Sequence, residues 1–266
     1  MVVDKIVSVI IPNYNNEKCL PKCLQALFQN EADFETIIVD DASTDNSLKI
    51  AKEFPIQIIR HEHNLGPTRA RNNGAKKATG KYLLFLDGDM EIEKDYLAKL
   101  VSFLENHPQA GAVSGKITEP GRKERMFWTF GYDFSILRDI VGQICLFLKN
   151  KLYQGKPLGS KMKKVIEPFT LNFVPDQIRT VGWVRESAFM TRRELFEKLG
   201  GFDRRFTMFA EGPDYCRRMR NLGFEVYYLP EALAQDLGGH AHSTLKRLLL
   251  LQKSMFYYYL KHPKIF

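Results

Sequence analysis

Four short apolar runs, each followed by a cluster of acids or amides, constrain this chain more than any other feature. Ile6–Ile11 (IVSVII) stops at Pro12 and leads into Asn13-Tyr14-Asn15-Asn16. Phe34–Val39 (FETIIV) leads into Asp40-Asp41-Ala42-Ser43-Thr44-Asp45. Ile56–Arg60 precedes Asn64-Leu65-Gly66-Pro67, and Tyr82–Leu86 (YLLFL) runs straight into Asp87-Gly88-Asp89. Continuous apolar runs of this length suit strands buried on both faces. Helices are predicted between them: Lys18–Asn30, with Leu20, Leu24, Leu27 and Phe28 at helical spacing; a second through about Phe54, capped by Ser43 or Thr44; and Thr68–Thr79. The alternation predicts an α/β fold with a doubly wound, mostly parallel central sheet and helices on both faces. Ligands of such sheets bind off the carboxyl ends of the strands, where all four polar clusters fall.

The second half is less regular. Helices are predicted over Asp95–Asn106, Arg193–Leu199 (stopped by Gly200-Gly201) and from Pro213 to Leu222, with Gly223 as a stop. Strands are predicted over Ala110–Lys116, Gly182–Thr191 and Phe224–Leu229, and a long C-terminal helix over Ser243–Lys261. Residues 121–180 are mixed, basic and aromatic. With no repeat and no clean linker, the chain reads as one compact unit with two lobes.

Composition narrows the partners without choosing one. A net charge of +8 over 266 residues favours anionic ligands: phosphates, nucleic acid or an anionic membrane surface. No stretch reaches the roughly 20 apolar residues of a membrane-spanning helix, and no cleavage pattern follows Val7–Ile11, so neither a signal peptide nor a spanning segment is expected. Cys19 and Cys23 lie one helical turn apart, but no second pair stands at zinc-like spacing. With Cys145 and Cys216 they read as free, mostly buried thiols of a reducing cytoplasm.

The ordered motifs resemble those of family 2 glycosyltransferases with the GT-A fold. The resemblance rests on Val7 to Asn15, Val39 to Asp45, Asn64-Leu65-Gly66 with Ala70 to Gly74, and Phe85 to Asp89. Later, Gly200-Gly201-Phe202-Asp203, Glu211-Gly212-Pro213-Asp214 and Arg217-Arg218 are similar to the family's second block. With the resemblance, the chain divides into a nucleotide-sugar-binding half over residues 1–116 and an acceptor-side and catalytic half of the same domain over 117–242, followed by the C-terminal helix, 243–266, read from its pattern. It implies that Pro12 and Tyr14 flank the base, that Asp41 accepts from the base imide N–H, and that Arg71 lies near base or diphosphate. Asp87 is expected at the ribose. Asp89 is expected to bind a divalent metal, Mn2+ or Mg2+, that bridges the diphosphate. A hard cation held by carboxylates would neutralise the leaving diphosphate, and Gly88 would let the turn approach the ligand without a side-chain clash.

The implied reaction is an inverting displacement: a sugar moves from a nucleoside-diphosphate sugar, UDP or dTDP, to an acceptor hydroxyl. The family's general base is the Asp of a Glu-Asp pair opening a helix. Here Glu211 matches the Glu, and Gly212 stands where the Asp would be. Glu211 or Asp214, both near the start of a helix, are the expected substitutes; helix-end pairing with Arg217 or Arg218 is the alternative reading. Asp236 or His240 is the expected second metal ligand, with His240 and His242 also readable as surface residues. Phe127–Tyr153 interleaves apolar and basic residues, and Lys161–Lys164 adds charge. That segment reads either as a peripheral contact with anionic membrane, suiting a glycan or polyprenyl-linked acceptor on the inner face of the cell membrane, or as an insertion packed on the core.

Three rival readings stand beside this one. A non-catalytic nucleotide- or glycan-binding homologue is favoured by Gly212. A nucleotidyltransferase would need a glycine-rich basic loop after the first strand, and Asn13 to Glu17 offers none. A nucleic-acid-binding protein would need a clustered basic face, and no such motif appears.

Overall fold

The computed structural model describes residues 6–118, 130–131, 176–206, 208–238 and 244–263. The expected basic and aromatic segment Phe127–Tyr153, apart from residues 130–131, lies outside them, as do Lys161–Lys164, Cys145, His240 and His242.

The strands are β1 (Val7–Asn13), β2 (Phe34–Asp40), β3 (Gln57–Arg60), β4 (Tyr82–Leu86), β5 (Met90–Ile92), β6 (Ala110–Thr118), β7 (Phe130–Gly131), β8 (Arg179–Val181), β9 (Trp183–Val184), β10 (Ala188–Arg192) and β11 (Glu225–Asp236). The helices are α1 (Leu20–Leu27), α2 (Ser47–Ala51), α3 (Pro67–Ala75), α4 (Tyr96–Asn106), α5 (Arg193–Lys198), α6 (Glu211–Arg220) and α7 (Thr244–Lys261). The main sheet has the order β3-β2-β1-β4-β10-β6-β11-β5, with β8 beside β11. Strands β3, β2, β1 and β4 are parallel, as are β6 and β11, while β10 runs antiparallel between β4 and β6.

The chain winds outward from β1 to β3 and then crosses back to β4 on the other side of β1. This reversal opens a crevice at the carboxyl ends of β1 and β4, the usual ligand site of such a sheet. Side-chain alternation along the two strands builds both layers. Val7, Val9, Ile11, Leu84 and Leu86 pack with Leu20, Leu24 and Leu27 of α1 and Leu97, Leu100 and Leu104 of α4. Ile10, Leu83 and Phe85 face the opposite layer with Phe189, Phe196, Phe202, Tyr215 and Met219. Phe85 and Phe202 lie edge to face at 4.9 Å between centroids, a geometry favoured by ring quadrupoles.

Several element expectations are corrected. Helix α1 is shorter than Lys18–Asn30, with Pro21 in its first turn. Neither Ser43 nor Thr44 caps α2: Ser43 bonds Asn13 and Asn15 across the crevice, and Asn46 takes the cap position. Helix α6 begins two residues before Pro213. The strand expected over Gly182–Thr191 is interrupted, leaving Arg185-Glu186-Ser187 between β9 and β10. Strand β11 runs well beyond Leu229, because a register shift between Leu229 and Leu233 accommodates Pro230. Cys23 and Cys216 are buried free thiols, and Cys19 is half-buried.

Candidate functional site

On the β1–β3 side the crevice is closed by hydrogen bonds within the protein. Asn13, at the end of β1, donates to Asp40 (3.0 Å) and to Ser43 Oγ (3.1 Å). The Asp41 carboxylate accepts from the backbone N–H groups of Leu65 and Gly66, both at 2.8 Å, and sits 2.7 Å from His61 Nδ1. The amide of Asn73 lies 3.0 Å from His61 Nε2. Because that amide nitrogen can only donate, Nδ1 carries the proton and donates to Asp41. Gly66 has φ 87°, a conformation glycine reaches without steric cost. Asp41 therefore fixes the 61–66 loop. An ionised carboxylate offers about four acceptor sites, which leaves room for one further N–H. Pro12, within β1, and Tyr14, just after it, are half-buried.

Beyond β4 the charges are concentrated. Arg71 of α3 is buried; its Nη2 donates to Asp87 Oδ1 (2.6 Å) and its Nη1 to Glu211 Oε1 (2.9 Å). Burial works against its charge, but Asp87, Glu211 and Glu186 outweigh it and hold the guanidinium above its usual range. Arg71 thus joins the end of β4 to the start of α6. Asp87 donates its backbone N–H to Ser187 O at 2.8 Å. A Cβ at Gly88 would lie 2.7 Å from Asn16 Nδ2, so a side chain there would have to displace the Asn16 amide.

Asp89 and Asp236, expected to act together, are brought side by side. Asp236 pairs with Met90 in the sheet register, and Leu237 N–H donates to Asp89 O at 2.8 Å. Burial, with the charges of Asp87 and Asp236, pushes the Asp89 carboxyl up to about 7. Arg185 approaches Asp236 at 3.0 Å. Asp87 is paired with Arg71, so Asp89 and Asp236 share Arg185 as their nearby guanidinium, an arrangement that favours a further cation. Among the described residues no group of three or more His, Cys, Asp or Glu is arranged to hold a metal. Asp89 and Asp236 offer a hard, carboxylate-only pair of donors, which fits Mg2+ or Mn2+.

The two expected bases differ sharply. Glu211 is buried, with Oε1 held by Arg71 and Oε2 without a hydrogen-bond partner among the described residues. Burial, followed by the charge of Glu186, pushes it up to about 8. Asp214 is completely buried and its oxygens are occupied: Arg218 (2.9 Å) takes Oδ2, while Lys261 (2.6 Å) and His262 (2.8 Å) take Oδ1. It anchors the C-terminal helix instead of meeting a ligand.

Backbone strain marks the same places. Asn15, Ala42, Phe209 and Ala210 have φ between 49° and 68°, which costs on the order of 1–3 kcal/mol each for non-glycine residues. They follow Tyr14, follow Asp41 and precede Glu211. Two site residues escaped the sequence reading, Arg185 and Glu186. Their signal was a pair of charges interrupting an otherwise apolar run, WV-RES-AFM.

Comparison with known proteins gives consistent matches. The family model "Glycosyl transferase family 2" matches residues 8–166. Glycosyltransferase GlyA of Streptococcus pneumoniae is 32% identical over 165 residues, covering 60% of this chain and 23% of GlyA. A PGL/p-HBAD biosynthesis glycosyltransferase of Mycobacterium bovis is 32% identical over 173 residues, covering 62% of this chain and 64% of that protein. The chain therefore spans less than two thirds of either relative. The crystal structure of Staphylococcus aureus TarS 1–349 superposes with a TM-score of 0.59 at 18% identity, covering 96% of this chain and 72% of that one. The same TarS fragment in complex with UDP-GlcNAc gives 0.57 at 21%, covering 88% and 60%. The Pyrobaculum calidifontis mannosyltransferase PcManGT with GDP-Man and Mn2+ gives 0.57 at 20%, covering 88% and 57%. At these identities the structural likeness concerns the fold alone.

Proposed function

The chain belongs to glycosyl transferase family 2, and from that premise we propose that it transfers a sugar from a nucleoside-diphosphate sugar to an acceptor hydroxyl with inversion. UDP or dTDP is the favoured nucleotide, a hexose-type sugar the favoured group, and a glycan or polyprenyl-linked molecule of bacterial surface polysaccharide synthesis the favoured acceptor. The observation that carries the reading is the acidic cluster of Asp87, Asp89 and Asp236 at the sheet's switch point, bridged to Glu211 by buried Arg71. A site of excess buried negative charge at the carboxyl ends of the strands suits a metal-bound diphosphate.

In this reading Pro12 and Tyr14 flank the base, Asp41 offers its remaining acceptor site to the imide N–H, and Asp87 meets the ribose. Asp89 and Asp236 would hold Mn2+ or Mg2+, with His240 the other proposed ligand; the cation would supply charge neutralisation to the departing diphosphate. Arg71 links Asp87 to Glu211 and offsets part of their negative charge. The bacterial relatives TarS and GlyA, and a TarS complex with UDP-GlcNAc, support the donor class. The proposed workplace is the cytoplasmic face of the membrane, with peripheral contact to anionic lipid; among the described residues no helix is long and apolar enough to cross a bilayer.

Gly212 favours one second reading, a homologue that binds nucleotide without turnover. A thermal-shift panel of UDP, dTDP, GDP, CDP and ADP, with and without Mn2+, tests the proposal. A ligand at one hundred times its Kd stabilises by about 2.7 kcal/mol, so a Mn2+-dependent shift with UDP or dTDP is expected. No shift with any nucleotide would overturn the donor assignment.

A further inference from the structure

Transfer to a hydroxyl needs a carboxylate that can reach the acceptor and take its proton. The carboxylates around Arg71 and α6 are unequal in this respect. Asp87 is paired with Arg71. Glu211 is 1% exposed and held by the same guanidinium. Asp214 is 0% exposed and bound by Arg218, Lys261 and His262. Glu186, in the break between β9 and β10, is half-buried, with the guanidinium charges of Arg71 and Arg185 acting on it.

Its position explains Gly212. A Cβ on Gly212 would collide with Glu186 Oε2 and would lie 3.3 Å from both Glu186 Cδ and Val184 O. The Glu186 carboxylate thus fills the volume that a side chain at position 212 would occupy, directly beside Glu211 in α6. Gly212 is at an ordinary helical position, so the absence of a side chain there serves the neighbour and not the backbone.

We propose that Glu186 is the general base of the transfer, its carboxylate reaching over Gly212 into the place of a residue-212 side chain. The assignment rests on the glycosyltransferase reading above. In the step, the acceptor O–H bond breaks as its oxygen bonds to the anomeric carbon, and the proton passes to a Glu186 carboxylate oxygen. The anomeric C–O bond to the diphosphate breaks, and its electron pair leaves with the nucleoside diphosphate. Glu186 then returns the proton to solvent. Burial raises its affinity for the proton, and Arg71 opposes that and keeps the ionised form accessible.

The same half-buried position defines the test. UDP release from a panel of UDP- and dTDP-sugars, with bacterial glycan or polyprenyl-phosphate acceptors, would be measured alongside UDP binding by calorimetry. E186Q is expected to bind UDP within twofold of the parent and to lose at least 100-fold in turnover. G212A, whose methyl must displace the Glu186 carboxylate without removing it, is expected to lose at least tenfold with the same binding. The double variant E186A/G212D, which returns a carboxylate to the same volume from α6, is expected to regain at least tenfold over E186A. A parent that turns over while E186Q or G212A stays within threefold of it would overturn the assignment to Glu186 alone. A parent that binds no UDP and releases none from any sugar would overturn the glycosyltransferase reading beneath it.

Discussion

Two sides of one crevice treat their polar groups in opposite ways. On the β1–β3 side Asn13, Asp40, Asp41, Ser43 and His61 bond to one another and to the backbone of residues 65 and 66. On the β4–α6 side Arg71 Nε, Ser187 Oγ and Glu211 Oε2 are buried without hydrogen-bond partners among the described residues. There Asp89 and Glu211 are pushed up by burial and neighbouring negative charge. Buried polar groups are normally satisfied; on the first side Asn13 Oδ1 is left without a hydrogen-bond partner among the described residues while the carboxylates are held, so that side is largely a preformed cradle and the second is a charge distribution completed by what binds. The contrast separates shape recognition from chemistry within a single sheet.

The most severe way to break the contrast is Arg71→Met. It leaves Asp87 and Glu211 without their shared cation, and breaking a buried pair this way costs about 3–5 kcal/mol. Denaturant unfolding should show that loss, and turnover should fall with it. Asp89→Asn acts oppositely on folding. It removes one of the mutually repelling carboxylates, so the unfolding midpoint should hold or rise while Mn2+-dependent UDP binding falls at least 100-fold by calorimetry.

Asp41→Asn tests the cradle. The loss of charge-assisted bonds to residues 61, 65 and 66 should cost about 1–3 kcal/mol. It should also weaken UDP binding with or without metal. The pH dependence sharpens the other side. Glu211 in the fold, at about 8, lies above its ordinary value of 4.5. The native state therefore binds more protons than the unfolded chain between those values, and its stability falls as pH rises through that window. E211Q should flatten the fall between pH 5 and 8. The smallest effect belongs to Lys261→Met, which removes one of the three groups holding Asp214. Stability should drop by about 1 kcal/mol and kcat should stay within twofold, as expected if Asp214 anchors α7 and takes no proton.

Much of this was legible in the sequence. The continuous runs Ile6–Ile11 and Tyr82–Leu86 suited strands buried on both faces, and both are such strands, with Asp87-Gly88-Asp89 following the second. Asp236 was placed near Asp89 by resemblance, and the sheet register agrees. What escaped depends on pairing between distant segments. Strand β10 enters antiparallel between β4 and β6, about a hundred residues after β4 in the chain, and its local pattern does not encode that direction. Pro230 reads locally as a strand end, yet a register shift carries β11 past it. Asp214 looked like a helix-start carboxylate facing a ligand, and only the return of α7, with Lys261 and His262, reveals its partners. Gly212 looked like a missing base, because its reason lies in Glu186, a residue outside its own helix.

The central claim is that the acidic side of the crevice is completed by a cation and a nucleoside diphosphate. Calorimetry of UDP binding to the parent and to D89N, with and without Mn2+, tests it most directly. Mn2+ should tighten UDP binding at least 100-fold in the parent and leave D89N unchanged. UDP binding of equal strength in all four experiments, or none in any, would contradict it.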